Sequence, residues 1–167
     1  HNITHLARAE EKEHRGTAFA LFTAHVAWVA SRLGCFWSIE NPSTSRLWDF
    51  PPIKQLQCLP GAWFVNLTHC AFGACHRKST TLLTNMEELE SIGLCCPGGH
   101  THQRLRGTET VLGPEGTTLT RNRTAGAGSY PPLLAAAWAC EACKSSTAEA
   151  REHMAFYSQL LSAQLDG

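Results

Sequence analysis

The chain has 167 residues, 43% of them hydrophobic, and its fourteen basic and fourteen acidic residues cancel. That length suits one domain with a real core, and the cancelled charge excludes a bulk positive field, so any nucleic-acid contact must rest on local sites. No apolar run approaches the roughly eighteen residues of a membrane span. The start His1-Asn-Ile-Thr-His5 is not a signal peptide, and the absent initiator Met is what a fragment or processed chain would show.

The segment Arg8 to Arg15 is charged on every side and reads as a solvated helix or loop. Phe19, Phe22, Val26, Val29 and Leu33 then recur at spacings of three and four. This draws one apolar helical stripe, expected to cover a sheet and stopped by Gly34. His14 and His25 have no ligand partner at helical spacing and read as structural or exposed.

Cys35 to Ile39 is short, aromatic and β-branched, the pattern of a central strand covered on both faces. It delivers Glu40 and Asn41 to its carboxyl end, the edge where open α/β sheets bind ligands. Pro42 stops the strand, after which Ser43 or Ser45 caps a short helix carrying Arg46, Leu47 and Trp48. Pro51 and Pro52 start another.

Ala62 to Cys70 alternates, with Trp63, Val65 and Leu67 on one face and Phe64, Asn66 and Thr68 on the other. Phe72 to Lys78 is a connector, and Ser79 to Thr84 a second β-rich run. Two strands so closely linked should pair as a hairpin. Met86 to Ile92 reads as a short helix stopped by Gly93.

Cys95-Cys96-Pro-Gly-Gly-His100-Thr-His102 is the densest group of metal donors. Its spacing is unlike that of standard zinc fingers, since adjacent cysteines and His-x-His do not easily ligate together. The set it allows is Cys96, His100 and His102 on zinc, with a fourth ligand from Cys70, Cys75 or His76. The competing reading is a polar turn whose histidines bond phosphate or backbone.

Thr108 to Ser129, rich in Gly, Thr and Arg, reads as a long irregular connection. Arg104, Arg106, Arg121 and Arg123 form the only basic concentration and suit either a phosphate backbone or solvent. Pro131-Pro132 opens an alanine-rich helix over Leu133 to Cys143. Ser146-x-x-Glu149 caps a last helix on which Met154, Tyr157, Leu161 and Leu165 share a face. Cys140-x-x-Cys143 lies within a helix and not after a strand, which argues against thioredoxin-like chemistry.

The eight cysteines, with glycosylation sequons at Asn2, Asn66 and Asn122, raise a secreted, disulfide-bonded reading. Cys35, Cys58, Cys70 and Cys140, however, fall in strand-like or helix-like segments where small buried thiols are common. With no secretory signal, the expectation is an intracellular chain, in nucleus or cytoplasm, with reduced thiols or metal ligands.

Phe36-Trp-Ser-Ile-Glu-Asn-Pro42 resembles the Glu-Asn-Val strand of cytosine-5 DNA methyltransferases, more closely the Glu-Asn-Pro form of phage and mobile-element proteins. That family follows the strand with a hairpin whose turn reads aromatic-Gly and then Gln-x-Arg-x-Arg. Phe72-Gly73 and His76-Arg-Lys-Ser-Thr80 occupy the same place, with His76 for the Gln, Lys78 for the first Arg and Thr80 for the second. Leu105-Arg-Gly107 after His-x-His is also similar to the mobile-element branch. The resemblance spans about residues 15 to 107 and implies an incomplete Rossmann-like α/β sheet with an antiparallel terminal hairpin. Residues 108 to 129 would connect it to C-terminal helices over 130 to 167, all in one domain.

The resemblance further implies that Glu40 and Asn41 line a pocket for a flipped cytosine, with Arg77 and Lys78 near base or phosphate and Arg104 and Arg106 on DNA. The family's Gly-rich S-adenosylmethionine loop and its Pro-Cys nucleophile are missing here, and Gly126-Ala-Gly128 follows no strand. Binding of S-adenosylmethionine would then need an upstream half-domain or partner chain, and methyl transfer by this chain alone is not expected. Two function classes remain: the downstream part of a DNA methyltransferase-like domain, and a non-catalytic interaction domain, zinc-stabilised, from a mobile element.

Overall fold

The computed structural model describes residues 3–144 and mixes helices with small antiparallel sheets. Helix α1 (Ile3–Arg32), strand β1 (Ser38–Pro42) and helix α2 (Pro51–Gln57) come first. Strands β2 (Trp63–Thr68) and β3 (Ser79–Thr84) follow, then β4 (Thr108–Leu112), β5 (Thr118–Asn122), α3 (Arg123–Gly126) and α4 (Pro132–Lys144). β1, β3 and β2 form one sheet in the order β1-β3-β2, and β4 pairs with β5 in a second. The chain contacts group into two compact units: the described residues of His1–Val65 with Thr81–Glu87, and those of Asn66–Thr80 with Glu88–Gly167.

In the first unit, Ala24, Ala27, Trp37, Ile39, Ile53, Leu56 and Leu83 make a buried cluster, flanked by Leu47, Trp48 and Phe50. α1 packs on α2 through alanines, whose small side chains let helix backbones approach closely. The stripe drawn from the sequence is therefore not the packed face: Phe19, Phe22 and Leu33 are 68%, 66% and 72% exposed. Periodicity identified the helix correctly, but side-chain size decides which face a neighbouring helix can reach.

The first strand begins three residues later than its apolar run suggests and lies at a sheet edge instead of the centre. The cause is a side-chain clamp. Asn85 accepts the Trp37 N–H on Oδ1 at 2.8 Å and donates from Nδ2 to the Cys35 carbonyl at 3.0 Å, taking the backbone groups a ladder would have used. An edge position tolerates Pro42 as the last strand residue, because its missing N–H costs no ladder bond. Phe36 consequently precedes the strand and is exposed.

The central strand is β3, buried from Thr80 to Thr84. Burial of its threonines is offset by hydrogen bonds. Thr81 Oγ1 donates to Ser43 Oγ at 2.9 Å, and Thr84 Oγ1 donates to the Trp37 carbonyl at 2.7 Å. β2 keeps the expected alternation, with Val65 and Leu67 buried and Phe64 and Asn66 exposed. Ser45 caps the 3-10 helix Arg46–Asp49, its Oγ accepting from the Leu47 N–H at 3.1 Å, and α2 starts at the proline pair.

In the second unit, β2 runs into a 3-10 helix, His69–Phe72, on which α4 packs. Another 3-10 helix covers Glu87–Ile92. The segment expected to be irregular, 108–129, instead contains the β4–β5 hairpin, in register from Thr108↔Asn122 to Leu112↔Thr118, followed by α3. Threonine-rich runs on either side of Gly113-Pro-Glu-Gly116 suit paired strands, and Arg121 joins Glu109 across them at 2.8 Å. All eight cysteines are free; Cys35, Cys58 and Cys140 are exposed where buried thiols were expected. The capping box at Ser146 and the helix face through Leu165 lie outside the described residues. No described helix is long and apolar enough to cross a membrane.

Candidate metal centre

The knuckle Cys96-Pro-Gly-Gly-His100 turns on Gly98 and Gly99, at φ +76° and +73°, a left-handed backbone that residues with a Cβ adopt only with strain. This double turn folds His100 back over Cys96. Cys96 Sγ lies 3.8 Å from His100 Nε2 and 3.4 Å from His102 Nε2. The two imidazoles meet edge to face with centroids 4.4 Å apart.

A fourth donor comes from elsewhere in the same unit. One donor atom each from Cys70, Cys96, His100 and His102 lies within 4.8 Å of the others, so the group can hold a metal ion. Two bonds of about 2.0–2.3 Å at a tetrahedral angle span roughly 3.3–3.8 Å, and the separations from Cys96 fall in that range. Of the three candidates for fourth ligand, the fold brings in Cys70. Cys75 instead bonds Gln103 Oε1 at 3.1 Å, and His76 is buried apart from the cluster. Cys95 turns to the Asn66 carbonyl at 3.8 Å.

The surroundings prepare these donors. His100 Nδ1 lies 3.0 Å from the Gly98 carbonyl; donating its proton there leaves Nε2 with the lone pair a metal needs. The Cys96 pKa is lowered, first by a backbone hydrogen bond at Gly98, then by Cys70 and the nearby Arg77 charge, which favours thiolate. The His102 pKa is lowered by burial, His100 and Arg77, which keeps its ring neutral. Thiolate sulfur and neutral imidazole are the forms that ligate zinc.

Comparison of the chain with protein-family models, curated proteins and solved structures returned no match.

Arg77, Arg104 and Arg106 line one groove of about 580 Å³ with His102, Gln103 and Leu105. Among the described residues no carboxylate lines it. Lys78, the other basic residue of the turn, is half-buried with Nζ 5.8 Å from the Tyr130 ring centroid. Glu40 and Asn41 are half-buried in β1 and belong to the first unit, whereas all the basic candidates belong to the second.

Two residues of this region were not singled out from the sequence. His69 is fully buried directly before Cys70, its Nε2 3.3 Å from Thr80 Oγ1. Burial, then the charges of Lys78 and His76, push its pKa down to about 4. Tyr130 packs edge-on against Trp138, with centroids 5.9 Å apart. The Ser-Tyr-Pro-Pro run before an alanine-rich helix was the available signal for it.

Proposed function

We propose that this chain is a non-catalytic, zinc-stabilised binding module whose arginine groove takes a nucleic-acid backbone. The observation that carries the reading is the convergence of Cys70, Cys96, His100 and His102. Four protein donors fill a tetrahedral zinc and leave no open position for substrate, the mark of a structural site. With two thiolates on Zn²⁺ the centre is neutral, so the groove beside it carries the charge of Arg77, Arg104 and Arg106. Guanidinium groups suit phosphate through paired, charge-assisted hydrogen bonds.

The test combines metal analysis with titration of a labelled oligonucleotide against salt. Three phosphate contacts predict a slope of log K against log salt of about −2 to −3, reduced by close to 1 for each Arg→Ala change in the groove. A flat salt dependence, or equal binding after Arg77→Ala with Arg104→Ala and Arg106→Ala, removes the nucleic-acid part. Absence of zinc from protein made in zinc-replete medium removes the metal part.

The methyltransferase likeness, with its Rossmann-like sheet, is the second reading, favoured by the half-buried Glu40-Asn41 pair in β1. It predicts that Glu40→Gln weakens binding of cytosine-containing single strands and that an upstream half supplies S-adenosylmethionine. Unchanged affinity after Glu40→Gln would remove it.

A further inference from the structure

Beside the arginine groove lies a second cavity of about 350 Å³, within the range of small-ligand sites, walled by Phe72, Tyr130, Pro131 and Pro132 on its apolar side. His76 and Arg123 also line it, and each has a buried nitrogen without a hydrogen-bond partner, His76 Nε2 and Arg123 Nε. His76 is only 8% exposed. A desolvated polar nitrogen left unpaired is costly, and a ligand offering the matching hydrogen-bond group would relieve it. Gln103 and Leu105 line both this cavity and the arginine groove, which makes the two neighbours.

The geometry points to a base pocket: the cavity accepts one unstacked nucleobase of a single-stranded nucleic acid whose phosphates run along the Arg77, Arg104 and Arg106 groove. This rests on the nucleic-acid reading of that groove and adds strand preference to it. Tyr130 is 42% exposed and has the Lys78 ammonium near its ring, so an entering base meets an aromatic surface and a cation together. A base edge offers both acceptors and N–H donors, which complement the Arg123 Nε–H and, in either tautomer, His76 Nε2. A base inside a duplex cannot reach such a cavity, whereas single-strand binders combine a basic track with an aromatic platform in this way.

The experiment is fluorescence anisotropy on the full zinc-loaded chain, with labelled single-stranded and duplex oligonucleotides of matched composition at low salt. Wild type should prefer the single strand by on the order of tenfold, the usual size of one stacking contact. Tyr130→Leu should abolish that preference without weakening duplex binding, and Tyr130→Phe should keep it. Equal wild-type affinity for both forms, or a preference that survives Tyr130→Leu, overturns the base pocket and leaves the groove reading standing. No binding of either form removes both. If Tyr130→Leu loses its zinc, competition on wild type decides: a mixture of the four nucleoside 5′-monophosphates should displace the single strand at concentrations where inorganic phosphate does not. Equal displacement by the two competitors overturns the pocket.

Discussion

Asn85 grips the backbone beside Trp37 across 48 residues of sequence, accepting its N–H at 2.8 Å while donating to the Cys35 carbonyl at 3.0 Å. The clamp fixes where β1 begins and seats the buried Trp37 indole, whose Nε1 donates to Ser31 Oγ at 2.6 Å. Asn85→Ala leaves two backbone groups without partners and should cost about 1–3 kcal/mol, read as a lower urea midpoint with unchanged slope. Asn85→Asp keeps the acceptor and loses the donor, so its loss should fall between wild type and Ala.

Cys96→Ser removes the thiolate common to the two short contacts with His100 and His102. It should abolish high-affinity zinc binding and the thiolate charge-transfer band of the cobalt-substituted protein, and chelator should no longer lower the melting temperature. Cys75→Ser, at a thiol bonded to Gln103, should retain all three properties. Zinc retained by Cys96→Ser, or lost by Cys75→Ser, would mean that the wrong thiol has been assigned.

Acid should destabilise the fold through His69. Its folded pKa of about 4 lies below the ordinary imidazole value of 6.5, so the unfolded chain binds more protons. The associated stability is complete above pH 6.5, declines as pH falls from there toward 4, and is gone below. The total is on the order of 3 kcal/mol. The readout is the difference between wild type and His69→Gln over that window. The variant should show a shallower loss between pH 6.5 and 4, and parallel curves would refute the assignment.

The two faces of α1 should respond oppositely to substitution. Phe19→Ser and Phe22→Ser alter exposed positions and should change stability by less than about 0.5 kcal/mol. Ala27→Leu forces bulk into the buried cluster with Ile53 and Leu56 and should cost about 1–3 kcal/mol. Thermal or urea unfolding measures both.

Where a signal is local, the sequence carries it. β3 has the bounds its β-rich run suggests, Ser45 caps the turn after Pro42, and the proline pair starts α2, because each depends on residues within a few positions. The start of β1 was not legible, since it depends on a side chain 48 residues away. Nor was the packed face of α1, where alanine size outweighed hydrophobicity. In the metal cluster, Cys96, His100 and His102 stand together in the chain and could be named from spacing. Cys70 could not be separated from Cys75 or His76, because only the turn through the 3-10 helix His69–Phe72 decides which of them reaches the knuckle. The β4–β5 hairpin was obscured by its glycines, although they mark its turn.

Cys70 and the knuckle beginning at Cys96 stand 26 positions apart (96 − 70) yet their donor atoms lie within 4.8 Å. An ion shared between them would act as a reversible cross-link, ringing off the segment that contains β3 and the 3-10 helix Glu87–Ile92. By the chain-entropy relation for a covalent bridge of that length, such closure removes about 3.5 kcal/mol of freedom from the unfolded ensemble. Unlike a disulfide, such a staple would open when the metal is withdrawn, and under the zinc-stabilised proposal the persistence of the folded state would follow the free zinc level around it.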